Sequence, residues 1–307
     1  MAAQKNISKS FIYSAEAASA IKAQNAIVAL ESTVITHGLP QPENFQLAQR
    51  LEGIVREGGA TPATIAVIDG GIHIGLDEQQ LQKLSGAKNA IKLSSRDIAK
   101  AVVQKKYGGT TVAATLRLAE LAGIRVFSTG GIGGVHRGSN WDVSADLNEL
   151  AKRKLVCVCA GAKAILDLPA TLEQFETLGV PVLSFGTDEF PAFYSRSSGL
   201  LTNNRVDSVA EIFEFAQTHW RLGGQGILLT VPIPEEDEIP SAEVGEWISQ
   251  AHEEMAEATV SGAASTPFLL KRLGKLSQGR TLASNLALLE NNAQIATKLA
   301  TQDWNAI

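Results

Sequence analysis

A lysine just past one apolar run, a glutamate directly past another, and a glycine-rich segment leading into two aspartates are the residues of this 307-residue chain best placed to do chemistry. In VCVCAGAKAILDL, Lys163 is separated from the apolar run 155–159 by Ala160, Gly161 and Ala162. Such small neighbours hold its amine in a tight pocket. A poorly hydrated ammonium gives up its proton readily and becomes a nucleophile, most typically toward a carbonyl carbon. The structural alternative is an exposed lysine in the first turn of a helix, a position where the helix dipole disfavours a cation. In IVALESTVITHG, Glu31 follows the apolar run 27–30. A carboxyl at the exit of a buried strand is partly desolvated, which raises its pKa and suits it to act as a general acid. A glutamate that caps a turn or pairs with a lysine is the plainer reading of the same position.

The third segment is STGGIGGVHRGSNWDVSADLNEL, residues 128–150. Its glycines let the backbone approach a ligand and present N–H groups to an anion. Asp142 and Asp146 suit a hard, oxygen-ligated cation such as Mg²⁺ or Mn²⁺ together with a substrate contact. Alternatively, Asp142 or Ser144 caps a helix over 144–153. Lys92, in IKLSSRD, and the segment Gly108-Gly109-Thr110-Thr111-Val112, read as a turn opening a helix, could both serve a phosphate. Backbone amides at a helix N-terminus do this without special side chains, although the same segment also reads as an ordinary N-cap. Thr266-Pro267-Phe268 reads as a helix start.

Familiar site patterns fail on inspection. A dinucleotide fingerprint begun at Gly131 meets His136 where its third glycine belongs, and a P-loop begun at Gly133 meets Ser139-Asn140 in place of Lys-Ser/Thr. The five histidines show no paired metal spacing, and there is no G-x-S-x-G elbow. His219 and His252 read as surface residues of helices. Cys157 and Cys159, the two cysteines of the chain, are too few for a cysteine zinc site and too close for an ordinary structural disulfide.

The elements that must position these residues follow from the apolar pattern. Runs at 26–30, 64–68, 125–128, 155–159, 181–185 and 227–231 are mostly apolar throughout, as strands covered on both faces are. Amphipathic stretches at 43–57, 95–105, 110–122, 207–220, 242–258 and 281–300 read as helices. The alternation predicts an α/β fold with helices on both faces of the sheet. Residues 72–75 after Asp69-Gly70-Gly71 read as the return limb of a hairpin, which makes the sheet mixed. PIPEEDEIPS, 232–241, reads as a surface loop, and one domain is expected over 1–307. A formal charge of −5, from 27 Lys+Arg and 32 Asp+Glu, argues against gripping a nucleic acid polymer by its phosphates. The first 24 residues contain no long apolar run and no other run reaches membrane-span length, so a cytoplasmic protein is expected.

Six segments in order, ALESTVITHGLP (29–40), GGTTVAAT (108–115), STGGIGGVHRG (128–138), DVSADL (142–147), VCAGAKAILDL (158–168) and STPFLL (265–270), together resemble the pseudouridine-5′-phosphate glycosidase family. The resemblance runs from about residue 26 to 300. It implies a three-layer α/β/α sandwich around a mixed, mainly parallel sheet, assembled as a homotrimer with a divalent cation, usually Mn²⁺. It implies reversible hydrolysis of pseudouridine 5′-phosphate to uracil and ribose 5-phosphate. Carried onto matching positions, Glu31 is the proton donor and Lys163 the nucleophile. Lys92, the backbone at Val112, and Ser144, Ala145 and Asp146 contact substrate, as do His136 and Asn285, while Asp142 serves the metal, partly through water. The chain departs from the pattern at Gln41, an aromatic in many relatives, and in a short loop between Gly138 and Asp142.

The residue chemistry agrees with that implication. A C-nucleoside has no nitrogen leaving group, and direct expulsion of a carbanion is prohibitive. A lysine that opens the ribose at C1′ and forms an imine removes the difficulty, with Glu31 protonating the departing ring oxygen and uracil leaving after protonation at C5. One amine, one acid and a phosphate anchor suffice, and the paired carboxylates of O-glycosidases are not required. Two rival readings use the same residues: a Schiff-base sugar-phosphate aldolase acting through Lys163, and a non-catalytic nucleotide-binding module in which Lys163 is dispensable.

Overall fold

The computed structural model describes residues 11–138, 141–260, 262 and 265–304. The strands are β1 (Ile12–Tyr13), β2 (Ile27–Leu30), β3 (Thr61–Ile68), β4 (Gly71–Ile74), β5 (Ile91–Leu93), β6 (Gly108–Thr110), β7 (Val126–Ser128), β8 (Val135–His136), β9 (Val156–Cys159), β10 (Leu166–Asp167), β11 (Val182–Phe185), β12 (Arg205–Val206) and β13 (Ile227–Thr230). Eleven of them form one sheet in the order β1-β4-β3-β2-β7-β9-β13-β11-β12, with β6 joining β3 to β5; β8 and β10 pair separately. From β3 through β2, β7, β9, β13 and β11 to β12 every neighbour is parallel, whereas β4 and β6 run antiparallel to β3. The sheet is therefore mixed and mainly parallel, with helices on both faces.

The central strands are apolar because both of their faces are covered. Val28, Ala29, Phe127, Val156, Cys157, Val158, Cys159, Ile227, Leu228 and Leu229 are fully buried. The helices are α1 (Ala15–Ala23), α2 (Glu43–Glu57), α3 (Glu78–Ser85), α4 (Ile98–Val103), α5 (Val112–Leu121), α6 (Ala145–Leu150), α7 (Leu168–Leu178), α8 (Val209–Arg221), α9 (Ser241–Glu257), α10 (Ser265–Leu276) and α11 (Arg280–Ala300). Of these, α11 runs across β2, β7 and β9, and α5 packs on β2, β3, β6 and β7. None of the helices among the described residues is long and apolar enough to cross a membrane.

The hairpin expected after Asp69-Gly70 is present: Asp69 (φ 50°) and Gly70 (φ 78°) form its two-residue turn, and Ile65 pairs with Ile74. Gly108–Thr110, in contrast, is not a turn but the strand β6, and the helix begins only after Thr111 caps it. Glycine is a poor strand former, but here close packing selects it: a Cβ on Gly109 would collide with Thr36 Oγ1 and crowd the Ser32 carbonyl. The stretch 95–105 opens with a 3₁₀ turn, Ser95–Asp97, before α4.

Candidate active site

Parallel pairing puts the carboxyl ends of β2, β7 and β9 side by side, the place where open α/β sheets bind ligands. Glu31 is the first residue past β2, Thr129 the first past β7, and Lys163 the fourth past β9. The two ionisable side chains meet at one loop. Thr129 Oγ1 donates a hydrogen bond to Glu31 Oε1, and Lys163 Nζ donates to the carbonyl of Gly131 at 2.6 Å. No ion pair joins Glu31 to Lys163; each is held by a neutral partner instead. The lysine backbone is locked to the same loop, with Lys163 N–H donating to Ile132 O and Ile132 N–H to Gly161 O, both at 3.1 Å. Gly161 adopts φ 88°, and a Cβ there would strike the Pro191 carbonyl, so the small residues before Lys163 answer to backbone crowding. Lys163 is half-buried and precedes a turn, not a helix.

Burial raises the Glu31 carboxyl above its ordinary pKa; the positive charge of Lys163 and the Thr129 hydrogen bond pull it down, Asp146 pushes it up, and Lys92 opposes. Burial and the nearby charge of Lys163 lower the Lys92 ammonium, against Asp146 and Glu31. Lys92 is exposed overall, so it is the protein around its ammonium end that has this effect. It stands in β5 opposite Gly109. His37, in a turn of π-helix (Val34–Gly38), is lowered by burial and by Lys92, with the Ala90 carbonyl opposing. Such insertions recur at functional sites. Glu31, Lys163, Lys92 and Asp146 thus form one electrostatic neighbourhood.

Asp146 is buried, and both its oxygens accept main-chain bonds, Oδ1 from Ala113 N–H at 2.9 Å and Oδ2 from Gly133 N–H at 2.8 Å. It ties the start of α5 to the glycine loop. Ser144 caps α6, accepting from Asp146 N–H at 3.2 Å, and Ala145 is exposed beside it. Val112 is buried, and its N–H, at the first position of α5, has no partner among the described residues. The side chain of Asn285, half-buried on α11, makes no hydrogen bond among the described residues. His136 lies in β8 opposite Leu166 and acts electrostatically on His252. Asp142 is exposed, and its carbonyl accepts from His136 N–H at 2.9 Å. Residues 139 and 140 of the short loop before it lie outside the described residues.

Among the described residues no three His, Cys, Asp or Glu side chains converge on a point that would hold a metal ion. The protein groups at Asp142 do not make a cation cage by themselves. Cavities of about 500 and 390 Å³ lie at the other end of the sheet, beside Ala26, Thr61 and Val126, and none of the residues above lines them.

Three residues of this neighbourhood were not singled out from sequence. Thr129 is the donor to Glu31. Ser32 accepts from Thr110 N–H at 2.9 Å and donates to Ile65 O at 2.6 Å, fixing the chain beyond β2. Asn292, fully buried on α11, donates from Nδ2 to the carbonyls of Thr129 and Gly130 at 2.9 and 3.3 Å, while its Oδ1 is buried without a partner. Two such bonds contribute roughly 1 kcal/mol each, and one orphaned buried oxygen costs about 1–3 kcal/mol, so the side chain adds little net stability.

A doubly covered α/β sheet, with a desolvated carboxyl and an amine past the carboxyl ends of β2 and β9 on either side of β7, defines an enzyme. The chain belongs to the family described as Indigoidine synthase A like protein, whose model matches residues 16–302. It is 53% identical over 285 residues to the pseudouridine-5′-phosphate glycosidase of Solibacter usitatus (strain Ellin6076), covering 92% of this chain and 95% of that protein. The glycosidase of the same name from Geobacillus kaustophilus (strain HTA426) is 48% identical, with 95% and 98% covered. Among solved structures, an indigoidine synthase A-like protein of Thermotoga maritima superposes with a TM-score of 0.85 at 40% identity, covering 90% of this chain and 92% of that one. The prealnumycin C-glycosynthase AlnA, solved with ribulose 5-phosphate, gives 0.88 at 37% identity, covering 95% and 96%.

Proposed function

We infer that this chain is a pseudouridine-5′-phosphate glycosidase, which reversibly hydrolyses the C–C glycosidic bond of its substrate to uracil and ribose 5-phosphate. Relatives of that name match over nearly the whole chain. AlnA, a C-glycosynthase solved with a sugar phosphate, is consistent with C-glycosidic chemistry on this fold. The observation that carries the assignment of roles is the placement of Glu31 past β2 and Lys163 past β9, on either side of β7 and tied to the same β7 loop, without an ion pair between them.

In the proposed mechanism, Glu31 gives its proton to O4′ as the C1′–O4′ bond opens, and the Lys163 amine forms a bond to C1′. The new secondary ammonium returns a proton to the Glu31 carboxylate; once uracil C5 is protonated, the freed nitrogen lone pair makes a C=N bond to C1′. The electrons of the C1′–C5 bond leave with uracil. Water then adds to the iminium, releasing ribose 5-phosphate and the free amine. Glu31 is suited to its part because desolvation favours its protonated form. Lys92 and the unpaired Val112 N–H are assigned to the substrate's anionic end, with Ser144, Ala145, Asp146, His136 and Asn285 as further substrate contacts. A divalent cation, Mn²⁺ by family resemblance, is assigned to Asp142 with water completing its shell, and no step of the chemistry passes through it. A single catalytic domain over 1–307, a homotrimer and a cytoplasmic location complete the proposal.

The test is incubation of the purified protein with pseudouridine 5′-phosphate and Mn²⁺ while free uracil is followed. Uracil and ribose 5-phosphate should appear in equal amounts. Absence of uracil, with cleavage of a keto-sugar phosphate instead, would assign the aldolase reading.

A further inference from the structure

We propose that Asn292 is a positioning residue of the active site, holding through its side-chain amide the loop that engages both Glu31 and Lys163. Three consecutive carbonyls of that loop are committed. Those of Thr129 and Gly130 accept from Asn292 Nδ2, and that of Gly131 accepts from Lys163 Nζ. Thr129, pinned through its carbonyl, turns its hydroxyl onto Glu31. Main-chain bonds, Thr129 N–H to Val158 O at 3.0 Å and Ala160 N–H to Gly130 O at 2.9 Å, tie the loop to β9, and the Asn292 amide is the side chain of α11 that adds to them where both functional groups are anchored.

The surroundings of Asn292 single it out. It sits in the apolar stripe of α11 formed by Leu288, Leu289, Ile295, Ala296 and Leu299, all buried. An apolar side chain at that position would satisfy the core and leave no orphaned oxygen, yet a polar one is present with Oδ1 unpartnered. The reverse amide orientation would aim Oδ1 at two carbonyls, so the donor assignment follows from chemistry. One turn earlier on the same helix, Leu288 and Leu289 fill the space that a Cβ on Gly130 would enter, so the loop passes close to α11. Lys163, Lys92 and Asp146 are the charged groups acting on Glu31, and Asn292 is neutral. Its removal reaches Glu31 through geometry and through the Thr129 bond, which favours the carboxylate.

The inference rests on the glycosidase reading for its kinetics and is independent of it for its spectroscopy. Asn292→Leu keeps the branched heavy-atom outline and removes the amide. The expected outcome is a fall in kcat for uracil release of about tenfold or more, with KM little changed. The Glu31 carboxyl, followed by difference infrared titration and identified by its loss in Glu31→Gln, should titrate at higher pH than in the unmodified protein. Thr129→Val should move it in the same direction, and the double variant should be no more impaired than the worse single one. Unchanged kcat and an unmoved Glu31 titration would overturn the proposal. So would a loss of kcat with an unmoved titration and additive effects, which is the signature of a merely structural residue. If Asn292→Leu does not fold, Asn292→Ser, which keeps one short donor, should show a smaller shift of the same sign, and an unshifted titration in that variant overturns the proposal equally. A wild-type protein that releases no uracil sinks the glycosidase reading, whereas the Glu31 titration still decides the positioning role.

Discussion

Two partly buried charge clusters share the helices α5 and α6, and they are built in opposite ways. Between the helix bodies, Glu149 accepts from Arg117 at 2.9 Å and from Arg153 at 2.8 Å, and Arg153 also donates to Glu120 at 3.0 Å. Burial works against the Arg153 charge, but the hydrogen bonds and charges of Glu120 and Glu149 outweigh it and hold the guanidinium above its ordinary pKa. At the strand ends, beside the first turns of the same helices, Glu31 and Lys163 are each tied to a neutral group instead of to each other. Matched charges lock the helices together. Unmatched ones, held by separate hydrogen bonds, leave burial to keep the Glu31 pKa raised against the pull of Lys163.

Breaking the two clusters should therefore give different phenotypes. Lys163→Ala is expected to lower kcat by at least about 10⁴-fold while the thermal melt stays near that of the parent. Glu31→Gln should lower kcat by roughly 10²–10⁴-fold with KM little altered, the range for losing a general acid. Glu149→Ala, in the structural cluster, should cost about 2 kcal/mol of stability by chemical denaturation, since it takes the carboxylate from Arg117, which is over a third exposed, and leaves Arg153 with Glu120 alone. Its kcat/KM should stay within about threefold of the parent, because the reacting groups are untouched. A chelator should reduce turnover, Mn²⁺ should restore it, and Asp142→Asn should raise the Mn²⁺ concentration needed; turnover indifferent to chelation would remove the cation from the proposal.

The smallest expected effect is on stability against pH. The folded pKa of Glu31 lies above its unfolded value, so between the two the folded state binds more protons than the unfolded one. This group's penalty on stability is absent below the unfolded pKa and grows as pH rises through the folded one. Glu31→Gln should consequently gain melting temperature over the parent near neutral pH, and the gain should shrink under acid conditions. A gain that is equal at both pH values would show that the desolvated carboxylate is not its source.

Much of this arrangement could be read from residue order. The central strands are apolar on both faces, and the residue directly past each one is therefore conspicuous, which exposes Glu31; the Ala-Gly-Ala before Lys163 has the same effect. The α2 and α11 stretches carry a clear apolar stripe. Other elements were less visible. The strand β6 is hidden because close packing selected glycines that have no strand propensity. The helix α7 was missed despite Asp167 as its cap, Pro169 in its first turn and Gly179 at its end, signals that lie between two more conspicuous apolar runs. Thr129 and Asn292 are ordinary residues whose importance arises from contacts spanning 98 and 163 positions in the chain. An asparagine on the buried face of an apolar helix was the one local signal for the second.

Borohydride trapping tests the central claim most directly. Treating the protein with ribose 5-phosphate and borohydride, then mapping the product by peptide mass spectrometry, should yield a reduced adduct on Lys163 that is absent from Lys163→Ala. A protein that remains unlabelled, or is labelled on Lys92 in place of Lys163, would contradict the assignment of the nucleophile.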